Sequence, residues 1–179
     1  MNAAWTRTAS TVHNLGLAAG FGGGLLGQMA LHPAVKTIDD QKERGELLNQ
    51  TWRKYSPANA LGLAAVGVTW LAGRAVLSGG EIDDETRGLV NLKDVLVGIY
   101  CGTGIASIVL GRASGEGEPP VEAGNVPSAQ TPEAKAMVAV GWLGKANIAA
   151  AVGLIAVAVI LNVKAGRSHK WSLLSKILP

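Results

Sequence analysis

Few residues of the 179-residue chain belong to types that carry out chemistry, and their spacing limits them further. His13 and His32 lie 19 residues apart, which is about 28 Å along a helix and too far to share one metal ion. Met29 offers a soft ligand one turn before His32, but the third histidine, His169, lies outside the apolar segments. Cys101 is the only cysteine, so a disulfide within one chain is excluded. We expect no metal and no cofactor.

A glycine-rich motif matches the dinucleotide-binding fingerprint only superficially. Residues 22–27 fit GxGxxG, and Asp39 and Asp40 follow Gly22 by 17 and 18 residues. That fingerprint works between a β-strand and a helix, inside a series of alternating strands and helices. Residues 14–19 before the motif are not β-branched, and no such alternation follows. The sequence therefore favours a protein that is not an enzyme, and no catalytic residue is predicted.

Ionisable residues are rare within the apolar segments. Lys93 and Asp94 stand at the start of the third segment rather than in its middle, which argues against an ion-coupled pump. Lys145 is the best single candidate for a functional charge within the membrane. In the alternative interpretation its amine reaches the membrane surface beside Trp142. Two groups of acidic residues, 39–46 and 83–85, lack the spacing of a calcium loop and fit solvated connections.

Four long apolar segments must position these residues. Residues 8–35, 55–73, 95–111 and 146–163 contain no Lys, Arg, Asp or Glu. About 20 such residues are needed for a helix to cross roughly 30 Å of hydrocarbon. We predict an all-α, four-transmembrane-helix bundle in one domain, with spans at about 10–31, 57–77, 92–111 and 140–163. A soluble helical bundle rich in Ala and Gly is the alternative, although its charges would be spread around each helix.

The connections differ in character. Residues 37–55 are predicted to form an interfacial amphipathic helix, with a start resembling a capping box at Thr37 and Asp40. Pro57 suits the first turn of the second span. Residues 112–135 read as a flexible loop, and residues 164–179 as a basic amphipathic tail on the membrane surface. The residues predicted at the membrane interface are Trp52, Tyr55, Arg74, Trp142, Lys145, Lys170 and Trp171.

Small residues recur at every fourth position and predict close helix packing. In lipid, helices associate through backbone approach and dispersion contacts, which glycine permits. The first span carries such a glycine zipper, and shorter versions occur in the third and fourth spans. Two interpretations stay open: packing within the chain, or docking of the first span on another chain. The predicted packing residues are Gly16, Gly20, Gly24, Gly27, Gly98, Gly102, Ala106 and Gly153.

Charge does not decide the membrane orientation. Four spans place both termini on one side, and the 16 Lys and Arg residues then divide eight to eight between the two sides. The concentrated basic tail favours cytoplasmic termini in a bacterial inner membrane. The net charge of +3 stems from that tail, which is not a nucleic-acid surface.

Part of the sequence resembles small four-helix bacterial membrane families, among them the anthrone-oxygenase-like family. The resemblance rests on residues 17–24 (LAAGFGGG), on His32-Pro33-Ala34 and on residues 52–55 (WRKY). It covers about 60 residues and implies a four-helix bundle. No matched catalytic residue is present, so oxygenase activity does not follow from it.

These observations predict a non-catalytic accessory or scaffolding subunit. Its glycine-rich first span would pack against a larger membrane complex, so the expected partners are membrane lipids and other integral membrane subunits. One alternative is an oligomeric transport protein for a small molecule or a lipid. Another is a subunit of a membrane oxidoreductase that handles a quinone or a haem.

Overall fold

The described part of the chain is helical throughout, apart from a short connection at residues 36–40. A computed structural model describes residues 3–76, 84–115 and 132–167, and no strand occurs in these ranges. Helix α1 (Ala3–Leu26) continues through a π-helical turn (Gly27–Leu31) into the short helix α2 (His32–Val35). Three long helices follow: α3 (Gln41–Val76), α4 (Asp84–Gly115) and α5 (Pro132–Arg167). The prediction of an all-α protein is confirmed.

The four long helices form a closed bundle. α1 packs on α3 and α5, and α4 packs on α3 and α5. Consecutive long helices run antiparallel, because His13 contacts the end of α3 while Gly27 contacts its first half. The core contains mostly aliphatic side chains from all four helices, together with two large aromatic ones: Leu17, Leu63, Val66, Trp70, Val90, Val97, Tyr100, Ala150, Ala151 and Leu154.

Helix α3 starts later than the sequence suggests. The carboxylate of Asp40 accepts hydrogen bonds from the backbone N–H of Lys42 (2.8 Å) and Glu43 (3.2 Å), so Asp40 is the N-cap. The Thr37 hydroxyl instead donates to the carbonyl of Ala34, 2.7 Å away, at the end of α2. Thr37 therefore closes the preceding helix, and the start predicted there is wrong.

Helix α3 also joins two elements that were predicted to be separate. The expected surface helix 37–55 and the second span form one helix of 36 residues, with Pro57 inside it. Proline removes one backbone hydrogen bond from a helix interior. Trp52 and Tyr55, just before it, contact Gly27 and Gly23, so this part of α3 already belongs to the bundle. Those contacts offset the lost hydrogen bond and keep the helix continuous.

Two helical segments are long and apolar enough to cross a membrane, by length and composition: Asp84–Arg112 and Val138–Lys164. They extend beyond both ends of the predicted third and fourth spans. α1 and α3 do not meet the same criterion. Most of the predicted loop, residues 116–131, and the tail residues Lys170 and Trp171 lie outside the described residues.

Candidate functional site

A group of polar side chains, here called the ionic cluster, lies at the end of the bundle where α4 begins and α3 ends. It consists of His13 on α1, of Thr69, Trp70 and Arg74 on α3, and of Lys93 and Asp94 on α4. His13 and Lys93 are each only 1% exposed. Charged and polar groups at such depth require partners, because burial removes their hydration.

His13 is held by a threonine hydroxyl. Its Nδ1 atom lies 2.9 Å from the Thr69 Oγ1 atom. The Thr69 hydroxyl donates its proton to the carbonyl of Ala65, 2.6 Å away. The same oxygen must therefore accept from His13, which places a proton on Nδ1. This bond links α1 to α3 in a fixed orientation.

Trp70 and Asp94 organise the rest of the ionic cluster. The Lys93 ammonium lies over the Trp70 ring, 4.4 Å from its centroid. Such a contact is worth about 2 kcal/mol when it is desolvated. The Trp70 indole N–H donates to one Asp94 oxygen at 2.8 Å, and Arg74 pairs with the other oxygen at 3.0 Å. Asp94 therefore ties α4 to two successive turns of α3.

Helix α5 reaches the same end of the bundle through a separate ion pair, between Lys164 and Glu85 of α4. Sequence reasoning placed Lys93 and Asp94 at the start of the third apolar segment and did not connect them with His13, so it missed the ionic cluster. One signal was available: Trp70 and Arg74 lie one turn apart near the end of an otherwise apolar segment, where a carboxylate partner is needed.

A second polar group lies deeper in the bundle. The Tyr55 hydroxyl donates to the carbonyl of Ala19 at 2.8 Å. The Tyr100 hydroxyl is fully buried against Gly20, and it has no hydrogen-bond partner among the described residues. The Asn147 side-chain amide donates to the Tyr100 carbonyl at 2.7 Å, which links α5 to α4.

The glycines predicted for helix packing on α1 face the chain's own helices. A Cβ atom on Gly16 would lie 2.6 Å from the Gly62 carbonyl oxygen of α3. One on Gly24 would lie 3.1 Å from Ile148 of α5. Gly20 meets Tyr100, and Gly27 meets the Trp52 ring. All four positions therefore take part in contacts within the chain.

The predicted packing residues on α4 and α5 have different surroundings. A Cβ atom on Gly98 or Gly102 would meet no described atom within 4 Å, and both glycines are exposed. Ala106 is half-buried. Gly153 on α5 faces inward, and a Cβ atom there would lie 3.1 Å from the Leu96 side chain. The predicted set therefore divides into an inward group and an outward group.

Five of the seven predicted interface residues fall within the described residues. Trp52 is half-buried between His32 and Tyr55, with ring centroids 6.1 and 5.8 Å away. Burial, and secondarily the charge of Lys36, lowers the pKa of His32. Trp142 is exposed, and the Lys145 ammonium lies 4.8 Å from its ring centroid. Arg74 belongs to the ionic cluster.

Comparisons with protein-family models, with curated proteins and with solved structures each gave no match for this chain. The resemblance to anthrone-oxygenase-like families therefore stays a prediction. Within the described ranges, no group of three or more His, Cys, Asp or Glu side chains is arranged to hold a metal ion. The arrangement of the ionic cluster suits a clamp between helices, because Asp94 and His13 each bind a side chain of a neighbouring helix.

Proposed function

We propose that the chain is a four-span integral membrane protein with a non-catalytic role in membrane assembly. The observation that carries the membrane part is the equal spacing of ionisable residues along the four helices. His13 to His32, Lys93 to Arg112 and Lys145 to Lys164 each span 19 residues, or about 28 Å of helix. Lys54 to Arg74 spans 20 residues, or about 30 Å.

These four intervals match the thickness of the hydrocarbon region of a bilayer, which is about 30 Å. Inside them the only charged residue is Asp94, directly beside Lys93. Each of the four packed helices therefore carries one interval of this length. A soluble bundle has no reason to keep a charge-free run of 17 or more residues on every helix.

The outer surface of the bundle supports the same proposal. Among the described residues, 15 of the 21 exposed large hydrophobic side chains fall within these intervals, from Leu15 on α1 to Val163 on α5. In the most apolar 18-residue stretch of Asp84–Arg112, only 17% of the residues are buried. The corresponding share in Val138–Lys164 is 28%. The core helix of a soluble protein would be mostly buried, whereas lipid accommodates exposed apolar side chains.

The assembly role is supported by the outward glycines of α4. Glycine lowers the stability of a helix by nearly 1 kcal/mol relative to alanine in water. A Cβ atom at Gly98 or Gly102 would meet no described atom within 4 Å, so close packing within the chain does not require glycine there. Glycines on a lipid-facing surface allow the backbone of another transmembrane helix to approach closely. The docking surface proposed here is therefore on α4, while the α1 glycines pack internally.

Two experiments test the proposal. After expression in bacteria, the chain should stay with carbonate-washed membranes, and recovery of a compact monomer in the supernatant would refute insertion. After extraction in mild detergent, the chain should remain in a complex with a second membrane polypeptide, and the size of the complex detects it. Gly102→Leu should release it, whereas Gly22→Leu, at an exposed α1 glycine with nothing within 4 Å, should not. Equal retention by the two variants would refute the assembly role of the α4 face.

Transport is the second candidate, and the buried polar groups favour it. Ionisable and hydroxyl groups inside a membrane bundle often mark a pathway for a solute. Lys93, His13 and Tyr100 are all buried between the helices. A transporter would take up a solute in vesicles as an isolated oligomer, and Lys93→Met would abolish uptake. An assembly subunit would show no uptake, and its Lys93→Met variant would still retain the partner.

A further inference from the structure

We propose that the α4 face, the exposed side of α4 around Gly98 and Gly102, docks on a second copy of this chain inserted in the opposite membrane orientation. The two α4 helices would cross near Gly98. This inference deepens the proposed function and rests on membrane insertion, since it names the partner of the same surface. Three observations support it: the charge balance between the two sides, the shape of the face, and the charges at its ends.

The charge balance removes the usual determinant of orientation. An excess of Lys and Arg on one side normally holds that side in the cytoplasm. Here eight lie on the side of the termini: Arg7, Arg74, Arg87, Lys93, Lys164, Arg167, Lys170 and Lys176. Eight lie on the opposite side: Lys36, Lys42, Arg44, Arg53, Lys54, Arg112, Lys135 and Lys145. With no excess to read, insertion machinery would produce both orientations.

The outer face of α4 carries its smallest residues at its centre. Its exposed residues alternate in steps of four and three, the spacing of a seam between two packed helices: Asn91, Val95, Gly98, Gly102, Ile105 and Val109. The glycines lie in the middle of this seam and the larger aliphatic residues lie on either side. A second helix can therefore approach most closely at Gly98 and Gly102.

The charges at the ends of α4 select the orientation of the second copy. Asp84 and Arg112 are both exposed, and each lies 14 residues from Gly98, about 21 Å along the helix. An inverted copy that crosses at Gly98 brings the partner's Arg112 opposite Asp84, and the same pairing repeats at the other end. A copy in the same orientation would instead bring Asp84 beside its own equivalent, and like charges repel.

Cysteine cross-linking of the full chain in membranes tests the arrangement. In a Cys101→Ala background, two differently tagged copies carry Asp84→Cys and Arg112→Cys. We expect a disulfide between the two copies. Val159→Cys, on the exposed face of α5, is the matched control and should not cross-link to itself. Cross-linking of Asp84→Cys to itself would overturn the inverted orientation, and a chain without either cross-link would overturn the dimer.

Charge variants provide an independent readout. Removing two cations from one side (Lys42→Gln with Lys54→Gln) or from the other (Lys170→Gln with Lys176→Gln) should fix opposite orientations. Each double variant alone should lose the cross-link severalfold, and co-expression of the two should restore it. Unchanged cross-linking in each double variant expressed alone would refute the inverted dimer. If those chains are still found in the membrane, the proposed membrane insertion stands. Recovery of the chains in the supernatant would refute both the insertion and the dimer.

Discussion

Two sets of glycines in this protein have the same spacing and opposite surroundings. On α1, Gly16 and Gly20 lie against Gly62 and Tyr100, so a single methyl group would collide with the neighbouring helix. On α4, Gly98 and Gly102 face outward and have room for a larger side chain. The four-residue spacing therefore identifies a smooth helix face, whereas the neighbours of that face determine whether it serves folding or association.

The largest expected effect comes from filling the inward set. Gly20→Ala would place a methyl group on the Tyr100 hydroxyl, which is fully buried. We expect a loss of about 3 kcal/mol in stability, at the upper end for overpacking. Thermal unfolding in detergent measures it. Gly22→Ala, on the same helix but open, is the control and should be neutral or slightly stabilising. Equal losses in both variants would remove the distinction between the two sets.

The outward set predicts a different outcome for the same chemical change. Gly98→Leu should leave the unfolding temperature nearly unchanged, because no described atom lies within 4 Å of the new Cβ. Association of the chain should fall, since the larger side chain separates the two helix backbones. Size-exclusion chromatography in mild detergent measures the association. Unfolding of this variant would show that the α4 glycines also stabilise the single chain.

The ionic cluster joins α1 to α3 and α3 to α4 by polar contacts, so it can be compared with the glycine contacts on α1. Asp94→Asn should weaken the pairing with Arg74 while it keeps an oxygen for the Trp70 indole. We expect a loss of about 1–2 kcal/mol, since hydrogen bonds to charged groups contribute 1.5–3 kcal/mol. Asp94→Ala removes the interactions with both Arg74 and Trp70, so its loss of stability should be larger. The order of the two variants in thermal unfolding tests this account, and the reverse order would contradict it.

A smaller effect is expected at Tyr55, which contacts the glycine face of α1 by a hydrogen bond. Tyr55→Phe removes the donor to the Ala19 carbonyl and keeps the ring against Gly23. The loss should be about 1 kcal/mol, the usual net contribution of such a bond. A combined variant with Gly22→Ala should be additive, because Gly22 faces away from Tyr55. Clear non-additivity would mean that α1 shifts as a whole.

The smallest effect is expected at Lys145, whose ammonium lies over the exposed Trp142 ring. An exposed contact of this kind is worth about 0.5–1 kcal/mol. Lys145→Met should therefore change the unfolding temperature little, and association through α4 should be unaffected. A large loss of stability would instead assign Lys145 a role in the bundle.

The sequence was sufficient to predict the helices, and insufficient to predict which residues they bring together. Apolar segments and charge-free lengths are local properties, so an all-α protein followed from them directly. The fusion of residues 41–76 into one helix was not foreseen, because Pro57 suggested a start and the contacts of Trp52 and Tyr55 with α1 are not visible in the local pattern. The ionic cluster was missed for a similar reason, since the burial of Lys93 depends on residues of other helices, Trp70 among them.

The π-helical turn at residues 27–31 has a consequence for how this chain tolerates changes in length. The His32 backbone N–H bonds to the Gly27 carbonyl five residues earlier, one residue more than in an α-helix. Such a turn is equivalent to an α-helix that has absorbed one inserted residue. Deleting exposed Met29 or Ala30 would relax it to regular geometry, whereas a deletion elsewhere in α1 would rotate every following glycine away from its neighbour. The helix thus contains one site where its register can be reset without dismantling the bundle.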